Sequence, residues 1–245
     1  MYIARTNSTN SLMKELIANG HRRVSGDELF YIRAGYQTAG RGQTGNGWES
    51  EEGKNLLCSI LLPARANLFE LNMVTAVAVQ RLLGDAFTIK WPNDIYWGDQ
   101  KVAGILVENA IIGNELKYSI AGIGLNVNQT EWHSDAPNPV SLKQITGQTY
   151  CIETLMQQLL DEVHKALSED VWDYYKAHLY RKEGFWPFVE REVSTAPTMN
   201  ANSQQLIANC FKAHIEDVLP TGELVLRDQE GKQRIYHFKQ IRYVL

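Results

Sequence analysis

The chain has 245 residues, of which 44% are hydrophobic, and a formal net charge of −4 at pH 7. This length can bury a substantial core, and the slightly acidic balance argues against a general affinity for nucleic acids or membranes. No apolar run approaches the roughly 20 residues of a membrane span. The first residues lack a signal-peptide pattern, so the sequence predicts a cytoplasmic protein. Three widely spaced cysteines predict buried, reduced thiols.

Most of the chain alternates between helical and extended patterns. Helices are predicted at 8–20, 68–83, 152–169 and 171–180 from caps and apolar stripes. Strands are predicted at 29–34, 56–62, 87–91, 101–112 and 116–126, and Gly113-Asn114 forms the turn between the last two. The pattern indicates an α+β fold in which helices flank a mixed or antiparallel sheet.

The character of the sequence changes after Pro187. Short strands are predicted at 206–218, 223–227, 234–238 and 240–244, with turn signals between them. This pattern is typical of a small β-barrel. We therefore predict two domains, residues 1–187 and residues 188–245.

A glycine-rich segment, Y-Q-T-A-G-R-G-Q-T-G-N-G-W at 36–48, is the most informative part of the chain. Glycine lets backbone N–H groups approach a ligand closely, and Arg41 adds a permanent positive charge. The segment therefore predicts an anion-binding loop. A flexible surface loop is an equally good interpretation of the glycines alone.

Three better-known glycine motifs do not fit this segment. The string G-R-G-Q-T-G matches the dinucleotide fingerprint, but a strand pattern follows it where a helix is required. A protein kinase would need H-R-D and D-F-G sequences, which the chain lacks. The spacing of Gly53-Lys54 from the preceding glycine excludes a Walker A motif.

Other polar groups stand where the predicted helices and strands begin or end. Ser8-Thr9 reads as a helix cap, with ligand binding as the weaker alternative. Asn93-Asp94, after Pro92, is either a turn pair or a ligand group, and Asp94 suits Mg²⁺ or proton transfer from an amine. Lys101 with Gly104 favours a site over a lysine at a strand end. The glycines of 122–126 suit either tight sheet packing or a site.

Five segments in this order resemble those of the biotin–protein ligases, also called biotin–[acetyl-CoA-carboxylase] ligases. They are T-N-S-T-N at 6–10, Y-Q-T-A-G-R-G at 36–42, K-W-P-N-D at 90–94, K-V-A-G-I-L-V-E at 101–108 and G-I-G-L-N at 122–126. The resemblance implies a catalytic domain like that of class II aminoacyl-tRNA synthetases, followed by an SH3-like β-barrel.

The resemblance also implies a two-step reaction. Biotin and MgATP would give biotinyl-5′-AMP and pyrophosphate, and a lysine of a biotin carboxyl carrier domain would then accept the biotinyl group. ATP and Mg²⁺ are thus the implied cofactors and a biotin-dependent carboxylase the implied partner. Neither a nucleic acid nor a membrane is expected as a partner, and the chain would be a monomer or a homodimer.

Individual roles follow from the same resemblance. The implied catalytic residues are Arg41, Lys101 and Asp94, and Asp94 would also hold the metal. Biotin would contact Ser8, Thr9, Asn10, Gln37, Arg41, Gly42, Lys101 and Gly104. ATP and the adenylate would contact Arg41, Gly42, Gln43, Trp48, Asn93, Lys101 and Asn126. Physics supports the two cations, since a carboxylate must approach a polyanion in the first step.

Two departures from the family pattern matter. Many members carry a basic residue where Gln43 stands, so this chain is expected to hold the adenylate less firmly. Some members carry an N-terminal DNA-binding domain and repress transcription, whereas few residues precede Thr9 here, which predicts a monofunctional enzyme. A lipoate ligase or acyltransferase on the same fold, and a biotin-sensing module without catalysis, are the alternatives.

Overall fold

The computed structural model describes residues 1–21, 29–43, 46–65, 67–113, 115–134, 136–191 and 210–245. Strands and helices alternate in the first part of the chain, and strands alone form the last part. The helices are α1 Thr9–Ala18, α2 Glu70–Leu83, α3 Leu142–Thr146, α4 Ile152–Ser168 and α5 Trp172–Ala177. The strands are β1 Tyr2–Thr6, β2 Tyr31–Gln37, β3 Leu56–Leu62, β4 Phe87–Lys90, β5 Asp94–Trp97, β6 Gln100–Ile112, β7 Glu115–Leu125, β8 Trp186–Glu190, β9 Cys210–Val218, β10 Leu224–Asp228, β11 Gln233–Tyr236 and β12 Ile241–Tyr243.

A seven-stranded sheet with the order β1-β2-β3-β7-β6-β5-β4 forms the centre of the molecule. The β1–β2 pair is parallel and the other pairs are antiparallel, so the sheet is mixed. The predicted α+β class with a mixed sheet and flanking helices is thus confirmed. The sequence patterns missed β1, β5 and α3, which are all five residues long or shorter.

The helices lie on opposite faces of this sheet. Side chains alternate between the two faces along a strand. In β3, Ile60 and Leu62 join the main core together with α2 and α4. Leu61, between them, packs in a separate cluster with Met13 of α1. The α1 face is the one that carries the cavity described below.

The C-terminal strands form a second sheet with the order β11-β10-β9-β8-β12, in which every pair is antiparallel. This sheet fits an SH3-like domain. In the described part of the chain β11 and β12 do not pair, so closure of the sheet into a barrel is not seen there, and the predicted SH3-like domain is confirmed as a five-stranded antiparallel sheet. β8 was not predicted, and residues 206–209 of the first predicted strand lie outside the described residues. The division at residue 187 stays a prediction.

Specific contacts dock this second sheet against the first domain. The indole Nε1 of Trp91 donates to the carbonyl of Gly222 at 3.0 Å, and the Trp91 ring packs edge-on against Phe238. Arg181 Nη1 donates to the carbonyl of Val244 at 2.6 Å. These contacts bring the turn between β11 and β12, which contains Phe238, to the large sheet.

The structure tests the predicted burial of the cysteines. Cys58 is a buried free thiol, whereas Cys151 and Cys210 are free and exposed, so burial was predicted wrongly for two of the three cysteines. Burial raises the pKa of the Cys58 thiol to about 12. Among the helices of the described ranges, none has both the length and the apolarity that a membrane crossing would need.

Tyr175→Phe tests the packing of α5 against the turn after β4. The Tyr175 hydroxyl is fully buried and donates to the carbonyl of Pro92 at 2.7 Å. Removing the donor leaves that carbonyl unpaired, so the free energy of unfolding in urea should fall by about 1–3 kcal/mol. In the control Tyr31→Phe, whose hydroxyl is exposed and lies 3.3 Å from Gln157, the change should stay within about 0.5 kcal/mol. Equal effects of the two variants would contradict this account.

Candidate functional site

A cavity opens on the α1 face of the large sheet. Its walls come from the start of α1, the glycine-rich segment, β5, β6, β7 and the β11–β12 turn. Most of the predicted site residues line it, namely Ser8, Thr9, Asn10, Gln37, Arg41, Gly42, Gln43, Trp48, Asp94, Lys101 and Gly104. Asn93 and Asn126 are the two that do not.

Paired glycines form the floor of the cavity. Gly104 of β6 stands directly opposite Gly124 of β7 in the strand register. A Cβ on Gly124 would lie 2.4 Å from the Trp48 ring, and one on Gly104 would lie 2.7 Å from it. The indole therefore lies against bare backbone. Only glycine allows this approach, which favours the site interpretation of these glycines over plain sheet packing.

The glycine-rich segment folds as a small hairpin over this floor. Arg41 and Gly47 pair as an isolated antiparallel bridge, and the Trp48 N–H donates to the Gly40 carbonyl at 2.9 Å. Residues 44–45, which include one of the predicted loop glycines, lie outside the described residues. The hairpin brings Arg41 and Trp48 to the same cavity.

The start of α1 and the end of β2 form a neutral polar wall. The Thr9 N–H and hydroxyl lie 2.8 and 3.2 Å from Gln37 Oε1. Because that oxygen accepts from the helix start, the Gln37 Nε2 amino group remains as a donor on a residue that lines the cavity. Ser8 is the N-cap residue of α1, yet its side chain makes no cap hydrogen bond in the described structure.

A buried serine lies behind this wall. Ser59 of β3 is fully buried, and its Oγ lies 2.7 Å from Thr9 Oγ1 and 2.5 Å from Asn10 Oδ1. Asn10 in turn donates to Glu108 Oε2 at 2.8 Å. A Cβ at Gly122 would collide with the Asn10 amide at 2.4 Å. Both polar atoms of the Asn10 side chain are thus hydrogen-bonded to protein groups behind the wall.

Arg41 lies beside the carboxylate of Glu108. Its Nη2 is 3.3 Å from Glu108 Oε2 and 3.3 Å from Ser11 Oγ, and its side chain is 45% exposed. Glu108 also accepts from Lys14 Nζ at 2.7 Å. Burial raises the pKa of Glu108, but hydrogen bonds from Lys14 and Asn10 outweigh it, so the pKa lies below its usual value. Glu108 is therefore ionised at neutral pH.

Lys101 and Asp94 form a second ion pair in the cavity. Lys101 Nζ lies 2.7 Å from Asp94 Oδ2 and 5.7 Å from the centre of the Trp48 ring. Both side chains are about 30% exposed. The isolated bridge between Lys101 and Pro139 fixes the backbone where β6 begins. Each cation of the cavity thus has one carboxylate partner.

Lys90, the first residue of K-W-P-N-D, lies behind this pair. Its ammonium donates to the Tyr96 hydroxyl at 3.0 Å and lies over the Tyr243 ring. Burial lowers the pKa of Lys90 to about 8, although Asp94 opposes the shift. Lys90 therefore connects the first domain to β12 and does not line the cavity.

The two predicted residues outside the cavity wall have internal partners. Asn93 is fully buried, accepts from Gln43 Nε2 at 2.8 Å and donates to Asn72 at 2.7 Å. It thereby holds Gln43 of the hairpin. Asn126 Nδ2 donates to the Val140 carbonyl at 3.2 Å, while its buried Oδ1 has no partner within the described residues.

The sequence patterns missed two contributors to the site. Ser59 had a usable signal, since it is a hydroxyl residue inside the apolar run L-L-C-S-I-L-L. Phe238 lines the cavity from the C-terminal sheet and had no such signal, because local patterns do not reveal how two domains dock.

The fold and cavity together define a small-molecule-binding α+β domain with a C-terminal SH3-like sheet. Residues 2–126 match the biotin/lipoate A/B protein ligase family, and the chain belongs to that family. It is similar to the bifunctional ligase/repressor BirA of Bacillus spizizenii, with 30% identity over 218 residues, which cover 84% of this chain and 63% of that protein. It is also similar to a biotin–[acetyl-CoA-carboxylase] ligase of Paracoccus denitrificans, with 29% identity over 249 residues, covering 95% and 96%.

Solved structures share the fold. A biotin protein ligase from Aquifex aeolicus in complex with biotin and ATP superposes with a TM-score of 0.75 at 22% identity, covering 100% of this chain and 98% of that one. One from Leishmania major in complex with biotinyl-5-AMP gives 0.63 at 19% identity, covering 96% and 97%. The chain spans less than two thirds of the length of the bifunctional relatives that it matches.

Gly124→Ala tests the floor of the cavity. The added methyl group would overlap the Trp48 ring, so the variant should lose about 1–3 kcal/mol of unfolding free energy in urea. Gly47→Ala is the control, because among the described residues its Cβ would meet only the Gly40 carbonyl, at 3.9 Å. That control should change stability by less than about 0.5 kcal/mol. A Gly124→Ala variant as stable as the parent would contradict the close contact.

Proposed function

We propose that this protein is a biotin–protein ligase. It would activate biotin with MgATP to biotinyl-5′-AMP, and then transfer the biotinyl group to a lysine of a biotin carboxyl carrier domain. The observation that carries the proposal is a single cavity lined by a neutral hydrogen-bonding wall and by two cations, Arg41 and Lys101. A neutral ring joined to a carboxylate is the ligand that such a cavity suits.

The neutral wall complements a cyclic urea. Gln37 offers its Nε2 as a donor, and the Thr9 hydroxyl, which lies 2.7 Å from Ser59, keeps lone pairs for a ligand N–H. Ser8 adds a hydroxyl that the helix does not use. A urea has one carbonyl acceptor and two N–H donors, so each group would find a partner without any buried charge.

The two cations suit the first chemical step. A carboxylate has to approach the α-phosphorus of a polyanion, and the repulsion must be reduced by fixed positive charge. Two unit charges about 4 Å apart interact by roughly 4 kcal/mol at an effective dielectric of 20, so each cation matters. Arg41 and Lys101 would leave Glu108 and Asp94 and move onto the ligand's anionic groups. Such half-exposed ion pairs are weak, at about 0–1 kcal/mol, and exchange easily.

Asp94 suits a magnesium ion that arrives with ATP. Mg²⁺ is commonly held by one or two carboxylates together with substrate phosphates. Within the described ranges, no group of three or more acidic, histidine or cysteine side chains is placed to hold a metal alone. Asp94 would therefore be the protein ligand, and the ion would reduce the charge on the phosphates. When Lys101 turns to the phosphates, the Asp94 carboxylate becomes available for this role.

The second step is an acyl transfer. The amine nitrogen of the carrier lysine would attack the biotinyl carbonyl carbon, and the bond to the phosphate oxygen would break and release AMP. The attacking amine must lose a proton, and Asp94 is the cavity carboxylate closest to Lys101, at 2.7 Å. Trp48 would cover the mixed anhydride and exclude water.

Incubation with biotin, MgATP and an apo-carrier domain, followed by intact-mass measurement, tests the proposal directly. One biotinyl group should appear on the carrier. The alternatives give different results. A lipoate ligase would show competition by lipoate in ATP–pyrophosphate exchange, and a sensing module would leave the carrier unlabelled. Lipoate has neither urea N–H groups nor a urea carbonyl, so the Thr9–Gln37 wall favours biotin.

Lys101→Ala tests the role of the second cation. Losing the ammonium removes charge from the acyl-phosphate centre, so biotin-dependent ATP–pyrophosphate exchange should slow by about 100-fold or more. The fold should persist, as circular dichroism would check. Lys117→Ala is the control, since this exposed lysine pairs with Glu115 away from the cavity. A near-normal exchange rate in Lys101→Ala would refute the assignment.

Gln43 governs how firmly the adenylate is held. The neutral Gln43 amide points to Asn93 and gives the phosphate no charge. In the absence of carrier, biotinyl-AMP should therefore be released into solution, where mass spectrometry of a filtrate detects it. Gln43→Arg should reduce that release by about 5-fold or more, because charged hydrogen bonds are stronger than neutral ones. Undetectable release from the parent protein would contradict this prediction.

A further inference from the structure

Glu108 ends the K-V-A-G-I-L-V-E segment, and its carboxylate lies outside the main cavity. It nevertheless connects to the neutral wall through a continuous row of short hydrogen bonds. Glu108 Oε2 is 2.8 Å from Asn10 Nδ2, Asn10 Oδ1 is 2.5 Å from Ser59 Oγ, and Ser59 Oγ is 2.7 Å from Thr9 Oγ1. Ser59 and Asn10 are buried, so water does not compete for these bonds.

The chemistry of the first residue fixes the direction of every bond in the row. An ionised carboxylate can only accept, so the Asn10 amino group must face Glu108 and the Asn10 carbonyl oxygen must face Ser59. The Asn10 amino group also lies 3.4 Å from the Leu106 carbonyl, which is another acceptor. Ser59 has one hydroxyl proton and must donate it to Asn10.

The row ends at the ligand wall. Since the Ser59 proton is committed to Asn10, the Ser59 oxygen accepts the proton of Thr9 Oγ1 at 2.7 Å. The Thr9 hydroxyl proton therefore points into the protein, toward Ser59, because Gln37 Oε1 already accepts from the Thr9 N–H at 2.8 Å and lies farther from the hydroxyl, at 3.2 Å. The Thr9 lone pairs are left facing the cavity. The wall can accept a hydrogen bond from a ligand at this point and cannot donate one.

We propose that Glu108 is a positioning residue that sets the hydrogen-bond polarity of Thr9, and so makes the site selective for a ring that presents an N–H group. The inference rests on the proposed function and deepens it, because it names the group that distinguishes a cyclic urea from a ring without N–H. Sites built to hydrogen-bond a substrate group strongly reject analogues that lack it.

Glu108→Gln should reverse the donor–acceptor direction of the hydrogen bonds between position 108 and Thr9. Lys14 Nζ lies at Oε1 of this carboxylate, whereas Asn10 donates to Oε2, so Lys14 would hold the remaining oxygen of the new amide. Its amino group would then face Asn10, and two amino groups cannot bond to each other. Asn10 would turn its amide, and Ser59 would accept from it and donate to Thr9. Thr9 would lose the Ser59 oxygen as its acceptor, so its proton would turn either to the cavity or to Gln37 Oε1 at 3.2 Å, and Ser59 would occupy one Thr9 lone pair. A urea N–H would then meet a donor, or a hydroxyl with fewer free lone pairs.

The test is the Michaelis constant for biotin in ATP–pyrophosphate exchange. For Glu108→Gln we expect KM for biotin to rise by about 10-fold or more, with a smaller change in kcat, since the affected contact is made in the bound ground state. Glu115→Gln, which removes an exposed ion-paired carboxylate at the β6–β7 hairpin, should leave KM unchanged. Parent activity is measured alongside, so an inactive parent would reject the proposed function and not this inference.

Adding Asn10→Asp to Glu108→Gln separates polarity from charge. The new carboxylate at position 10 accepts from the new amide at position 108 and still accepts from Ser59, so Thr9 again faces the cavity with its lone pairs. KM should return to within about 3-fold of the parent value, a difference well below the loss of one hydrogen bond. Ion pairing of Lys14 and Arg41 with position 108 is not restored, so a role in charge alone predicts no rescue.

Ser59→Ala interrupts the row without touching a charge. It should also raise KM for biotin, and Asn10→Asp should not rescue it. An unchanged KM in Glu108→Gln, an unchanged KM in Ser59→Ala, or equal impairment of Glu108→Gln with and without Asn10→Asp would each overturn the inference. Circular dichroism and urea unfolding confirm that each variant is folded, and Ser59→Ala supplies the test if Glu108→Gln does not fold.

Discussion

The bare backbone where Gly104 faces Gly124 across β6 and β7 is the constraint on which the site depends. Because neither strand has a side chain there, the Trp48 indole lies directly on the sheet. The hairpin that carries Trp48 is drawn down with it, and Arg41 reaches the cavity from the same hairpin. Lys101, three residues before Gly104 on the same strand, has its Nζ 5.7 Å from the centre of that ring. The missing side chains at Gly104 and Gly124 thus allow Arg41 and Lys101, from distant parts of the chain, to line one cavity.

The polar groups of the cavity fall into two kinds. Behind the neutral wall, Asn10 and Ser59 are buried and fully bonded to protein, which fixes their orientation. The charged side chains Arg41 and Lys101 are partly exposed, and each is paired with one carboxylate. Rigid groups suit recognition of a neutral ring, where one misplaced donor leaves a buried polar group unpaired and weakens binding. Exchangeable ion pairs suit a reaction in which the anionic partner changes from carboxylate to phosphate.

The sequence predicted the long elements because their signals are regular. β3, β6 and β7 are extended apolar runs, and α1, α2 and α4 have apolar stripes with clear ends. β1 was not predicted because it is a short edge strand with mostly exposed side chains. β5 was not predicted because it begins directly after Asn93, within a predicted turn. Arg41 and Lys101 could be named in advance because they sit in compact motifs. Ser59 and Phe238 act through contacts across 50 residues or a domain boundary, which a local pattern does not encode.

The beginning of α1 shows how structural and functional roles of one residue separate. Hydroxyl residues at a helix start usually cap it, and a cap contributes about 1 kcal/mol. Ser8 occupies the N-cap position with extended backbone, yet its side chain makes no cap hydrogen bond in the described structure. The Thr9 N–H, one of the unpaired donors at the helix start, is instead satisfied at 2.8 Å by Gln37 from β2. This arrangement leaves the Ser8 hydroxyl unused by the helix and engages the Gln37 oxygen, so that the Gln37 amino group remains as a donor. Because Ser8 does not cap the helix, the Ser8 hydroxyl and the Gln37 amino group are both available in the neutral wall.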